Sequence, residues 1–113
     1  MTHHQPDGVT DLEALGTDLL GQARSASAGR AAATVLSGSS MRATVIALTE
    51  GTELAEHDAP PAATLQVLSG QVRLHADSDE WTVGAGQVAP IPPRRHGLAA
   101  LTESVVLLTV SLH

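Results

Sequence analysis

From Ala31 to the C-terminus, apolar and polar residues alternate in short runs, and Gly, Pro, Ser or Asp closes each run. A period of two broken by turn residues predicts β-strands. The expected strands cover 32–36, 42–49, 64–68, 71–75, 80–83, 87–91, 98–101 and 104–112. Residues 37–40, 77–79 and 84–86 read as turns, and 51–61, which ends in Pro60-Pro61, reads as a loop. Ser69-Gly70 between two strands reads as a hairpin. The last run is nearly all apolar, which predicts a central strand covered on both faces. Seven or eight such strands imply an all-β sandwich or barrel.

Upstream the period changes. Leu12, Leu15, Leu19, Leu20 and Ala23 fall at helical spacing and form one apolar stripe. Thr10 with Glu13 three residues on has the pattern of a capping box. Gly16 and Gly21 each weaken the helix by about 1 kcal/mol relative to Ala. Residues 25–29 read as its end, with Gly29 as C-cap. The expected layout is a tail and amphipathic helix over 1–30 and a barrel domain over 31–113. His3 and His4 fall in a polar stretch read as a solvated tail.

Composition narrows the function. There is no Cys, so disulfides and thiolate chemistry are excluded. Trp81 is the only aromatic residue, all six basic residues are Arg, and the formal charge is −6. Without a basic face or a row of aromatics the chain is a poor nucleic-acid binder. No apolar run approaches the roughly 18 residues that span a bilayer, and the first seven residues lack a secretory pattern. A cytoplasmic protein with no membrane partner is expected.

Gly51, His57 and Gly70, followed by Gly86, Pro92 and His96, give the chain its resemblance. At these offsets residues 31–112 resemble the cupins, and the phrases around Gly70 and Val110 are similar to those of short bacterial cupins with an added N-terminal helix. The resemblance implies an all-β double-stranded β-helix, the cupin jelly-roll barrel, with one N-terminal α-helix. It also implies a metal held by two His and one Glu of the first motif and one His of the second. Here the four positions carry His57, Ala59, Ala63 and His96. Methyl groups stand at two of them, and Arg94 replaces the second motif's Gly. A divalent metal (Zn, Fe, Ni or Mn) would rest on His57 and His96, completed by solvent or Gln66. Zinc and iron sites usually offer at least three protein ligands. Strand parity sets Gln66 opposite 63, 65 and 67, so only a bulge would bring it round.

The ligand-pocket candidates are therefore His57, His96, Gln66, Arg94 and Trp81. The imidazoles would act as acid, base or hydrogen-bond anchor. Arg94 and Arg95 would clamp an anion or simply answer Glu53, Glu56 and Asp58, the plainer reading. Trp81 would form a pocket wall or, on the plainer reading, core or interface packing. His75 and Glu103 read as solvated, and His113, at the terminus, is uninformative. The expected function is binding or sensing of a small apolar or weakly acidic ligand, without metal-dependent catalysis. The alternatives are a metal-dependent oxygenase or isomerase using His57 and His96, and an interaction module whose barrel is filled by its own side chains. The apolar helix stripe predicts a homodimer.

Overall fold

In the computed structural model, residues 8–113 are described; the His3 and His4 tail reading lies outside them. One helix precedes nine strands: α1 (Leu12–Ser25), β1 (Arg30–Ser37), β2 (Met41–Leu48), β3 (Glu53–His57), β4 (Ala63–Ser69), β5 (Gln71–Ala76), β6 (Asp79–Gly84), β7 (Val88–Pro90), β8 (His96–Ala100) and β9 (Ser104–Ser111). A five-stranded sheet in the order β1-β2-β9-β4-β7 faces a four-stranded sheet in the order β3-β8-β5-β6. Every pairing is antiparallel. No helix among the described residues is long and apolar enough to cross a membrane.

The alternation read from the sequence sets both faces of the larger sheet. Leu48, Leu65, Val67 and Val106 point between the sheets, where they meet Val72, Leu74, Val83 and Leu98 of the smaller sheet. Val45, Ala47 and Val105, one residue out of phase, point outward and are covered by Leu15, Leu19 and Ala23 of α1. β9 lies at the centre of its sheet; its nearly all-apolar run is buried over Ser104, Val105 and Val106 and half-buried beyond, with Val106 facing the barrel and Val105 facing α1. Each fully buried Leu or Val contributes about 1.5–3 kcal/mol relative to an exposed one.

Four local expectations are corrected. Asp11, not Thr10, caps α1, accepting from the Ala14 N–H at 3.1 Å. Its short carboxylate sits one residue nearer the first turn. The helix C-cap is Ala26, not Gly29. Gly29 instead makes the turn into β1 at φ +71. The 51–61 loop contains β3, which the charges of Glu53, Glu56 and Asp58 hid; it is an edge strand and mostly exposed. Ser69-Gly70 is not a hairpin, because β4 and β5 lie in different sheets. The turn carries the chain across the barrel at φ +82, where a Cβ would overlap the Glu103 carbonyl and lie 2.5 Å from Ser104 Oγ. Only glycine fits such a crossing.

Gly16 also gains a reason. An added Cβ would lie 3.1 Å from Val105, so the missing side chain lets α1 approach the sheet closely. Glu103, read as solvated, anchors the other end of the helix. Arg24 Nε and NH2 each donate to it at 2.7 Å. This fork lowers the Glu103 pKa and raises that of Arg24, chiefly through the side-chain hydrogen bonds.

Candidate functional site

His57 and His96 reach one another because β3 carries a bulge. β3 pairs with β8 at Glu53–Ala99, Leu54–Leu98 and His57–His96, so one extra residue lies between Leu54 and His57. Residues three apart on a regular strand face opposite ways; the extra residue restores both to the barrel side. His96 shares that side with Leu98 and Ala100 by ordinary alternation. The two rings stand edge to face with centroids 4.4 Å apart. His96 is 5% exposed and His57 is exposed, so the pair spans from interior to solvent.

Backbone carbonyls select the tautomer of each neutral ring. His57 Nδ1 lies 3.1 Å from the Ala55 carbonyl, and His96 Nδ1 lies 3.0 Å from the Arg94 carbonyl. A carbonyl only accepts, so each Nδ1 carries the hydrogen and each neutral ring keeps its lone pair on Nε2. No hydrogen bond to either Nε2 occurs among the described residues. The rest of the lining is hydrocarbon: Ile46, Leu54, Leu65, Leu74, Ile91, Leu98 and Leu108. The cavity is about 30 Å³ and opens to solvent.

Arg95, beside His96, holds the strand that carries His57. Its NH2 donates to the Glu56 carbonyl at 3.0 Å, and its guanidinium lies 3.8 Å from the Glu56 carboxylate and 3.5 Å from Asp58. Residues on both sides of His57 are thus tied to the residue before His96. His75 approaches the same Glu56 at 3.7 Å from the outer face of the smaller sheet. Its ring lies over Gly97, where a Cβ would come within 2.6 Å of it. The plainer reading of the arginines as partners for nearby acids fits Arg95; the charge alternation of 56–58 against 94–95 was the signal.

The other pocket candidates lie elsewhere. Gln66 is not on the cavity lining. The bulge in β4 falls between Val67 and Ser69, beyond Gln66, so it stays on the face opposite Leu65 and Val67. Arg94 points to the β5–β6 turn, donating to Asp77 at 2.8 Å and to Asp79 at 2.6 Å, and its guanidinium carbon is 5.9 Å from the Trp81 ring. Those hydrogen bonds raise the Arg94 pKa. The charge of Arg94 is answered by these two carboxylates, and Arg94 is not on the cavity lining. Trp81 is 40% exposed on the edge strand β6 and does not wall the cavity.

A cupin-type metal would need His57, His96 and the side chains at 59 and 63. Ala63 packs its methyl against the barrel core, and Ala59 offers no donor. No group of three or more His, Asp or Glu positioned to hold a metal occurs among the described residues. Two Nε2 lone pairs fall short of the three protein ligands that zinc and iron sites usually have. The donor set does not fit the full metal centre.

No protein-family model matches the chain, and no curated protein matches it. Solved structures do. A conserved protein of unknown function from Streptococcus pyogenes is 23% identical at TM-score 0.73, with 98% of this chain and 95% of that chain covered. An RmlC-like cupin from Desulfovibrio desulfuricans is 20% identical at TM-score 0.64, covering 99% and 97%. An RmlC-like cupin from Shewanella frigidimarina is 21% identical at TM-score 0.69, covering 76% and 78%. Two facing antiparallel sheets, the interior they enclose and these neighbours together show that the chain folds as a small cupin barrel, an all-β jelly roll with one added helix.

Proposed function

We propose that this barrel binds a small apolar or weakly acidic molecule at its mouth, without a metal. His57 and His96 Nε2 serve as the hydrogen-bonding anchors. The observation that supports the reading is the imidazole pair itself: both Nδ1 hydrogens are held by the backbone, and both lone pairs are free beside a hydrocarbon lining. A hydroxyl or protonated carboxyl donates to such a lone pair. Full transfer of the proton would leave an imidazolium against a carboxylate, a stronger, charge-assisted bond. The cavity of about 30 Å³ has room for one or two water-sized groups, so only the head of a ligand enters. Its remainder lies across the exposed His57 edge.

One observation favours a second reading. Ligand pockets usually measure about 300–1,000 Å³, and this interior is nearly filled by Leu and Ile. A filled barrel suits an interaction module. The metal-dependent oxygenase or isomerase reading draws on Nδ1–H bonds to carbonyls, which also orient metal-binding imidazoles, but lacks a third ligand. A homodimer belongs to the proposal, supported by Leu36, Met41 and Val88, which are 45%, 47% and 62% exposed. So does a cytoplasmic setting, supported by the lack of cysteine.

The test is an NMR titration of the histidine ring protons with butyric acid and butanol. Saturable shifts of the His57 and His96 signals, lost in His57→Ala and His96→Ala, are expected. A folded protein whose ring signals stay still at saturating probe would leave the filled-barrel reading in its place.

A further inference from the structure

A second apolar space lies outside the barrel. A cleft of about 300 Å³ opens between α1 and the end of the five-stranded sheet where β4 stops and β9 starts. This is ten times the barrel cavity and reaches the size range of small-molecule pockets. Its floor is apolar, made by Leu20 and the bare backbone of Gly16 on one side and by Leu68 and Val105 on the other. The glycine that lets α1 approach Val105 also keeps this floor free of a side chain.

The polar rim carries no positive charge. It consists of Glu13, Thr17 and Ser69. Glu13 is a carboxylate, which only accepts. Thr17 spends its hydroxyl hydrogen on the Glu13 carbonyl at 3.1 Å, so its remaining lone pairs also accept. No Arg, His or amide side chain lines the cleft. The nearest arginine along the helix, Arg24, is fully engaged by Glu103 at 2.7 Å. Glu13 enters no ion pair among the described residues. The chain as a whole carries −6, which adds a field attractive to cations.

We infer that this cleft is a second ligand site, and that its ligand is a small amphipathic cation: an ammonium group on a short hydrocarbon chain. The hydrocarbon covers the Gly16, Leu20, Leu68 and Val105 floor. The ammonium meets the Glu13 carboxylate and the Thr17 oxygen. Anions of the same size bind less well, because Glu13 is the only charged side chain on the lining and it is negative. The site is independent of the imidazole pair and stands whether or not the barrel mouth binds anything.

The experiment is an amide NMR titration of the intact protein with hexylammonium, beside hexanoate and hexanol as matched probes. Hexylammonium is expected to give saturable shifts at residues 12–20, 68–69 and 105, while the ring signals of His57 and His96 stay still. Glu13→Gln, an exposed substitution that leaves the apolar floor intact, weakens hexylammonium at least fivefold and leaves hexanol unchanged. Leu68→Phe, which narrows the cleft, weakens both. Equal binding of hexanoate, shifts centred on the histidines, or no saturable binding overturns the inference. So does a dimer whose dissociation on dilution moves these same amides, since a second copy would then be the occupant.

Discussion

Gly70→Ala isolates what the crossing between sheets requires. Gly70 has φ +82, and a methyl there would overlap the Glu103 carbonyl and lie 2.5 Å from Ser104 Oγ and 2.8 Å from Ser104 Cα. The left-handed backbone alone costs about 1–2 kcal/mol with a side chain. Forcing a methyl into packed backbone costs about 1–3 kcal/mol more. Gly51 has the same conformation, φ +83, but nothing lies within 4 Å of its added Cβ. Gly51→Ala therefore carries only the backbone part, and the unfolded-state entropy gained by replacing Gly with Ala applies to both variants. The expected losses are about 2–4 kcal/mol for Gly70→Ala and about 1 kcal/mol for Gly51→Ala. At about 4 °C per kcal/mol for a domain of this size, the melting temperatures fall by roughly 8–16 °C and 4 °C. Paired thermal and urea denaturation measures both. Equal losses would refute the steric account of the turn and reopen a plain hairpin there.

Other expectations follow from the same geometry. Leu74 is 1% exposed between the sheets, and Leu74→Ala should cost about 2–5 kcal/mol in urea unfolding; a loss under about 1 kcal/mol would mean the two sheets are not closely packed. The Arg24 fork holds the Glu103 carboxyl below its usual range. A carboxyl with a lowered folded pKa stabilises the protein above its unfolded pKa, and that stabilisation is lost as pH falls through the folded value. Melting temperature should therefore drop more steeply below about pH 4.5 in the wild type than in Arg24→Ala. Parallel acid-side profiles would show that the fork does not persist in solution.

Much of the barrel was legible because alternation survives wherever a strand faces a core. β9 is the clearest case: its apolar residues have no polar phase because α1 covers one side and the barrel the other. β3 was missed because an edge strand carrying Glu53, Glu56 and His57 exposes most of its length and leaves no apolar rhythm to read. The Ser69-Gly70 turn looked like a hairpin because a short glycine turn does not reveal which sheet the next strand joins. In the site, it was the resemblance to the cupin motifs, carried by Gly51, His57, Gly86 and His96, that implied the histidines share one site. The bulge that turns His57 inward has no sequence signature, and the same is true of the bonds that send Arg94 to Asp77 and Asp79. The helix cleft was invisible in one dimension, since Gly16 read only as a weak helix position.

Metal content decides most directly between an anchor pair and an incomplete catalytic centre. The protein is purified without a metal-affinity step, dialysed and assayed by elemental analysis together with its His57→Ala and His96→Ala variants. The expected result is well under one equivalent of Zn, Fe, Ni or Mn per chain, equal in all three proteins. One equivalent that survives dialysis and disappears in either variant would contradict the account.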